Sequence, residues 1–352
     1  MSEKLRVLLI YPGHLFSTFD VARGYDLALQ ENDDVVLGAF AYHSALIFYQ
    51  SAVKAYRENH PDKEMPDGAC LTMASERVAV QAVEFKPDVA LIVSGMVFGR
   101  HGYELLMAMD IPIAFILTES PYLDEPQAFM MKATNACVAF TNDRWSVDRL
   151  TEETGVRTIY LPHSYLPGTH RPMETNGEHQ TDVFFHGALW PERLEMFSGL
   201  DSLPYDMRLG GINLDDLSDD KLSAVIDNSS LPLWYSGTKI ALNHHRTCRG
   251  SGDEVTHIKP GSAYSLGPRA FEIAACGSFQ LCDDARPELT EVFGDSVATY
   301  HGQDDLRDKI GYFMQHPAER RDMAMESRRR VEGCTFAARA TNILVPALRE
   351  AI

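Results

Sequence analysis

No window of the chain offers the ~18–20 consecutive apolar residues that a membrane-spanning helix needs. The opening stretch, MSEKLRVLLIYPG, has neither the apolar length nor the small-residue cleavage site of an export signal, so a cytoplasmic protein is expected. No two of the six cysteines (Cys70, Cys137, Cys248, Cys276, Cys282, Cys334) form a CxxC pair, which fits reduced thiols. Positive charge is scarce: 32 Lys and Arg face 50 Asp and Glu, a formal net charge of -18. Such a field repels nucleic acid and anionic membrane on average, while leaving room for a local basic cleft the size of a nucleotide. Four motifs are absent: GxGxxG after the first strand, GxxxxGK[ST], GxSxG and HExxH. Their absence argues against a dinucleotide fingerprint, a P-loop, a nucleophile elbow and a zinc-protease helix. No internal repeat of fixed period occurs.

What is there alternates. At 352 residues the chain is long for one core and comfortable for two. LRVLLIY, DVVLGAF, DVALIVSG, IPIAFILT and ACVAFT are apolar strand-like runs. Helical patterns separate them at 17–30, 44–58, 71–85 and around HGYELLMAM. RWSVDRLTEET reads as a further helix and RTIYLPH as the closing strand. Near-continuous apolar strands alternating with helices predict a parallel sheet covered on both faces. Residues 166–180, LPGTHRPMETNGEHQ, read as a linker. A second series follows: strand TDVFFHG, helix ERLEMFSGL, strand YDMRLGG, helix 216–226, strand KIALNHH, strand SVATYHG and a helix over 303–315. Residues 317–352 read as mostly helical, with a break near Gly333. The fold class is therefore α/β: two Rossmann-like, doubly wound domains facing across a cleft. Their expected bounds are 1–165 and 181–333, with 334–352 a helix returning to the first. Ligands of such sheets bind beyond the carboxyl ends of strands, which directs attention to residues just after them.

The stretch Ser265–Phe293, SLGPRAFEIAACGSFQLCDDARPELTEVF, is the densest in signals. Gly267 and Pro268 open a helix, with Pro at its first position wasting no amide. Gly277 ends it. Glu272 is the one ionisable residue in the small, apolar FEIAACG segment. A helix N-terminus presents free amides to a phosphate, and a carboxylate one turn on can hold sugar hydroxyls. Lys259 and Arg269 add positive charge nearby. FFHGALWPER repeats the logic of strand, then glycine: Gly187 lets amides face a phosphate and Arg193 can neutralise it, unless that Arg simply sits on a solvated helix face. Asn243, His244, His245 and Arg246 close another strand. Adjacent histidines in a strand point to opposite faces, and no second pair supports a metal site, so none is expected.

In the first half, Gly13, His14 and Asp20 follow the first strand. Arg100 and His101 follow the third, and Glu119, Ser120, Pro121 and Tyr122 the fourth. A carboxylate at a strand's carboxyl end suits proton abstraction or hydroxyl binding, and equally suits a helix cap. Asp20 and His14 carry the same two readings, function or a capping loop.

SAYSLGPRAFEIAACGSFQLCDDARPELTEVFG resembles glycosyltransferases of the group 1 type, in the CgeB-like branch. LNHHR, LPHSYLPGTHRP and TESPY resemble that branch as well. The resemblance implies the GT-B fold, a nucleoside-diphosphate sugar as donor (UDP-linked), no cofactor and no metal. It assigns Glu272 to the ribose hydroxyls, Gly267 to Arg269 to the phosphate-facing helix start, and Gly187 and Arg193 to the diphosphate; Ser265, Asn243 and Lys259 join them as candidates by their place in the sequence. It puts the acceptor on the first domain, where the residues after the strands are then the candidates: Gly13, Arg100, His101 and Tyr122 to line it and Glu119, His14 or Asp20 as base. Many retaining members carry a second Glu eight residues before the first; here Tyr264 stands there, which leaves sugar and stereochemistry undefined. The acceptor is open among protein, glycan, small molecule and modified DNA base. Two rival functions are an epimerase acting on a nucleotide sugar and a non-catalytic nucleotide-binding assembly protein.

Overall fold

The computed structural model describes residues 3–12, 18–63, 65, 68–95, 98–211, 226, 228–249, 256–257 and 263–352, the backbone alone at 248–249 and 256–257. The chain forms two units, Met1–Pro162 with Phe336–Ile352, and His163–Thr335.

The first unit is built on six parallel strands: β1 (Leu5–Tyr11), β2 (Val35–Ala41), β3 (Val89–Val93), β4 (Ile113–Leu117), β5 (Val138–Thr141) and β6 (Thr158–Tyr160). Their order is β2-β1-β3-β4-β5-β6. Every residue of β3 (VALIV) and β4 (IAFIL) is buried, as expected of central strands with helices on both faces. The helices are α1 (Phe19–Gln30), α2 (Tyr42–Asn59), α3 (Ala69–Phe85), α4 (Arg100–Ala108), α5 (Asp124–Ala133) and α6 (Ser146–Thr154). On one face Leu8, Ile92, Phe115 and Ala139 pack with Tyr42, Val78 and Leu106. The unit is completed from the far end of the chain. Phe336 lies against α1 so closely that a Cβ on Gly24 would sit 2.4 Å from its ring, and Tyr25 meets the same ring edge-on at 5.0 Å.

The second unit has five parallel strands: β7 (Thr181–His186), β8 (Met207–Gly210), β9 (Thr238–Asn243), β12 (Gln280–Asp283) and β13 (Ala298–Tyr300). Between β9 and β12 lies a two-residue ribbon, β10 (Cys248–Arg249) with β11 (Thr256–His257). The sheet order is β13-β12-β9-β7-β8. Both units thus place their first strand beside their third, so each has a switch point there, β1/β3 and β7/β9. Alternate residues of β7 enter different cores: Val183 and Phe185 pack with Phe197 and Tyr300, while Phe184 packs with Trp234 and Tyr235. The helices of this unit are α7 (Pro191–Phe197), α8 (Leu231–Gly237), α9 (Pro268–Ala275), α10 (Glu288–Phe293), α11 (Gly302–Gln315) and α12 (Pro317–Val331).

Two local expectations change. Strand β9 stops at Asn243, so His244 and His245 lie beyond it rather than alternating within it. Residues 231–237, given no element by the sequence, form α8, started by Pro232 in its first turn. The helix expected over 216–226 falls largely outside the described residues. Among the described residues no helix is long and apolar enough to cross a membrane.

Candidate donor site in the second unit

The site grows from the loops after β7, β9 and β12. Helix α9 begins with Gly267 as N-cap and Pro268 at N1, and no acidic residue stands in its first turn. The first turn carries Arg269 instead. A cation at a helix N-terminus is repelled by the macrodipole, so this placement adds to the positive potential of the first turn. The guanidinium reaches back over β7: a Cβ on Gly187 would lie 2.1 Å from Arg269 Nη2. Its Cζ sits 4.8 Å from the centroid of the Phe185 ring, a cation–π contact. Gly187 is thus a position where a side chain is replaced by an arginine arriving from another element. A second glycine supports it. Gly211, at φ +150°, comes so close that a Cβ there would lie 1.6 Å from the Gly187 carbonyl oxygen.

Glu272 lies one turn along α9, partly buried, with its Oε1 3.8 Å from His170 Nε2. His170 Nδ1 accepts the Leu166 amide at 3.2 Å, so its Nε2 carries the hydrogen and turns it toward the carboxylate. The loop before α9 is held by Glu288. Its carboxylate accepts the Leu266 N–H at 2.6 Å, and its own amide donates to the Tyr264 carbonyl at 3.3 Å. Ser265 is buried in this loop.

Arg193 is buried, and its guanidinium spans the β7 and β9 loops. Nε and Nη2 donate to the His244 carbonyl at 3.0 and 2.7 Å, and Nη1 to the Ala188 carbonyl at 2.6 Å. Its described contacts therefore brace the turn after β9. Asn243 is buried and donates to Gln280 Oε1 at 2.8 Å, linking β9 to β12. Just past it, His244 Nδ1 meets the Tyr300 hydroxyl at 2.8 Å. Asp283 Oδ2 accepts the His245 amide at 2.6 Å and stands 2.9 Å from His245 Nδ1. Burial works to raise the Asp283 pKa, but the hydrogen bonds it accepts from the His245 amide and ring outweigh it and hold the carboxyl below the usual range.

Among the described residues, His245, Cys282 and Asp283 form the one trio whose donor atoms converge within 4.8 Å. Burial drives the Cys282 thiol well above its ordinary value, which keeps it protonated and a poor metal ligand. Asp283 is already engaged by His245.

Sequence reasoning singled out His244 and His245 but not Asp283, Glu288 or Phe185. No sequence signal pointed to Asp283: it is the register of β9 against β12, with Asn243 opposite Cys282, that brings the residues after each strand to one level.

In the first unit, Ser120 and Pro121 are joined by a cis peptide bond after β4. Ser120 exchanges hydrogen bonds with Asn142, its N–H to Oδ1 at 3.1 Å and its carbonyl from Nδ2 at 3.0 Å. The Glu119 amide donates to Gln127 Oε1 at 3.3 Å. Asp124, buried at the start of α5, accepts from Gln127 Nε2 at 3.1 Å and Ser146 Oγ at 2.7 Å, and is paired with Arg149. Glu119 and Tyr122 are partly buried on this turn, and Asp20 is in the first turn of α1. Arg100 and His101 open α4, where both face Glu104; Arg100 is 92% exposed. Gly13, His14 and Lys259 lie outside the described residues.

Comparison with known proteins bears on the family and the fold. Residues 174–345 match the family model described as "Glycosyl transferase-like". The chain is 26% identical over 255 residues to the spore protein CgeB of Bacillus subtilis, covering 68% of this chain and 76% of that one. Sucrose-phosphate synthase from Thermosynechococcus elongatus superposes with a TM-score of 0.62 at 13% identity, over 99% of this chain and 100% of that one. HepE of Anabaena, solved in complex with UDP and glucose, gives 0.62 at 12% identity over 99% and 100%. A glycosyltransferase of Rickettsia africae gives 0.60 at 10% identity over 99% of each chain. Residues 174–345 thus match the glycosyl transferase-like family model, the fold is that of GT-B proteins, and the spore protein CgeB is a distant homologue.

Proposed function

We propose that this protein is a glycosyltransferase that moves a sugar from a nucleoside-diphosphate donor to an acceptor hydroxyl, without a metal ion, in the cytoplasm. The observation that carries the reading is Arg269: a cation in the first turn of α9, folded over a bare glycine of the neighbouring strand end. Helix amides and guanidinium together offer fixed positive charge to a diphosphate. Because they are already oriented, they stabilise the charge that grows on the leaving diphosphate without reorganising, which is the role a divalent cation would otherwise fill. Glu272, one turn on, takes the ribose hydroxyls. HepE, of the same fold, was solved with UDP and glucose, which favours a UDP-linked donor. The acceptor falls to the first unit, with Glu119, Asp20 or His14 as base and Gly13, Arg100, His101 and Tyr122 as binding groups.

The test is a panel of nucleotide sugars, each offered with and without acceptors and EDTA, followed by release of nucleoside diphosphate and by calorimetry. Transfer or slow hydrolysis that survives EDTA is the expected result. A protein that neither turns over nor binds any nucleoside diphosphate would refute the proposal. Conversion of the sugar with donor alone and no nucleotide released would assign an epimerase instead.

A further inference from the structure

At the carboxyl ends of β9 and β12 one buried acceptor has no donor among the described residues. His245 is 6% exposed, and its Nε2 has no hydrogen-bond partner among the described residues. The ring's hydrogen is fixed from the other side. Asp283 Oδ2 accepts from the His245 backbone amide and stands 2.9 Å from Nδ1. An ionised carboxylate only accepts, so Nδ1 carries the hydrogen and Nε2 is left with its lone pair. Burial keeps the imidazole neutral by lowering its pKa from the ordinary value.

The neighbouring histidine shows what a purely structural arrangement does here. His244 satisfies its Nδ1 on the Tyr300 hydroxyl. For His245, three separate groups hold the ring in place while leaving Nε2 empty: Arg193 on the preceding carbonyl, Tyr300 through His244, and Asp283 on Nδ1. A braced side chain with one unused polar atom is the form a pre-organised ligand contact takes. A metal fits poorly, because Cys282 Sγ lies 3.9 Å from Nδ1, the nitrogen already engaged by Asp283. A ligand O–H is the matching chemistry, a donor for a lone pair that no described residue uses. The unit β9–loop–α9 that carries His245 also carries Arg269 and Glu272.

We infer that His245 Nε2 accepts a hydrogen bond from a hydroxyl of the donor's sugar, making His245, positioned by Asp283, a residue that selects the sugar. This rests on the nucleotide-sugar reading above and adds the sugar end to it.

The experiment is calorimetry with UDP, UDP-glucose, UDP-galactose and UDP-N-acetylglucosamine on the full chain, His245→Phe and His245→Gln, with thermal melts to confirm folding. In the unsubstituted protein one sugar nucleotide should bind more tightly than UDP. The Phe variant, similar in bulk but without an acceptor, should lose about tenfold of that gain and leave UDP unchanged. The Gln variant, whose amide oxygen reaches toward the Nε2 position, should keep part of it. Independently of any variant, the Nε2 nitrogen resonance should shift on adding that sugar nucleotide and stay put with UDP. An unchanged ratio in a folded Phe variant overturns the inference, as does a gain that EDTA abolishes, which would put a metal on the ring. Failure of UDP itself to bind would instead overturn the nucleotide-sugar reading.

Discussion

Gly187→Ala tests whether the glycine exists to admit Arg269. The added Cβ would lie 2.1 Å from Arg269 Nη2 and 3.2 Å from its Cζ, with Phe185 next at 3.6 Å. The backbone at Gly187 is not in the left-handed region, so the residue itself is unstrained and the conflict is with one side chain. That side chain is flexible and will swing away. The cost to the fold is then small, chiefly a cation–π contact worth about 0.5–1 kcal/mol. The cost to an anionic ligand is larger, because a charge-assisted hydrogen bond contributes about 1.5–3 kcal/mol, or roughly 10- to 150-fold in affinity. The assay is calorimetric titration of UDP into the parent, Gly187→Ala, Arg269→Ala and the double variant, with melts in parallel. The single variants should weaken binding alike, and the double variant should be no weaker than Arg269→Ala, a coupling as large as either effect. Additive losses would refute the reasoning, since Gly187 would then act through something other than Arg269.

Gly211→Ala should be far more damaging to folding than Gly187→Ala, because its Cβ meets the Gly187 carbonyl at 1.6 Å from a backbone at φ +150°; a loss beyond about 2 kcal/mol is expected in urea melts. Acid should weaken the second unit well before its carboxylates titrate. Burial, aided by Arg269 and Arg208, pushes His186 down to about 4, and burial likewise pushes His244 down to about 4. The unfolded chain binds those protons below about pH 6.5, so the stability is present above that value and lost toward pH 4, at no more than about 2.7 kcal/mol per pH unit for two protons. A melting temperature flat between pH 7 and 5 would contradict this. Asp124→Ala should destabilise the first unit by about 2–4 kcal/mol in urea, because it strips acceptors from buried Ser146 and Gln127 while exposed Arg149 can return to water.

The strands were legible because a parallel sheet covered on both faces writes itself as unbroken apolar runs; VALIV and IAFIL are buried throughout. Their ends were not. KIALNHH reads as one strand, but a strand lasts only as long as its neighbours pair with it, and the last described pairing with β12 is Asn243 with Cys282. Freed from the pleat, His244 and His245 bring their Nδ1 atoms to 3.7 and 2.9 Å from the same Asp283 oxygen, where alternation had set them on opposite faces. Helix α8 was missed because seven residues, LPLWYSG, are too few to display a period. At the site, spacing showed that Arg193 and Arg269 follow glycines and strands, but not where a long side chain turns. Arg193 turns inward to carbonyls, while Arg269 crosses to another strand end. The Glu288 and Asp283 contacts depend on loops meeting from distant parts of the chain, which composition and periodicity do not encode.

The packing of Phe336 on α1 sets an order of assembly. Residues 336–352 belong to the first unit, yet they follow all 173 residues of the second, His163–Thr335, in the chain. During synthesis the seat beside Gly24 and Tyr25 stays empty until the segment that begins with Phe336 has been made and released. A chain cut after Thr335 would therefore carry the whole second unit and a first unit with an open apolar seam, the kind of surface chaperones recognise. Producing the first unit by itself would require joining residue 162 to 336 through a new connection, since cutting the gene at the boundary leaves that seam uncovered.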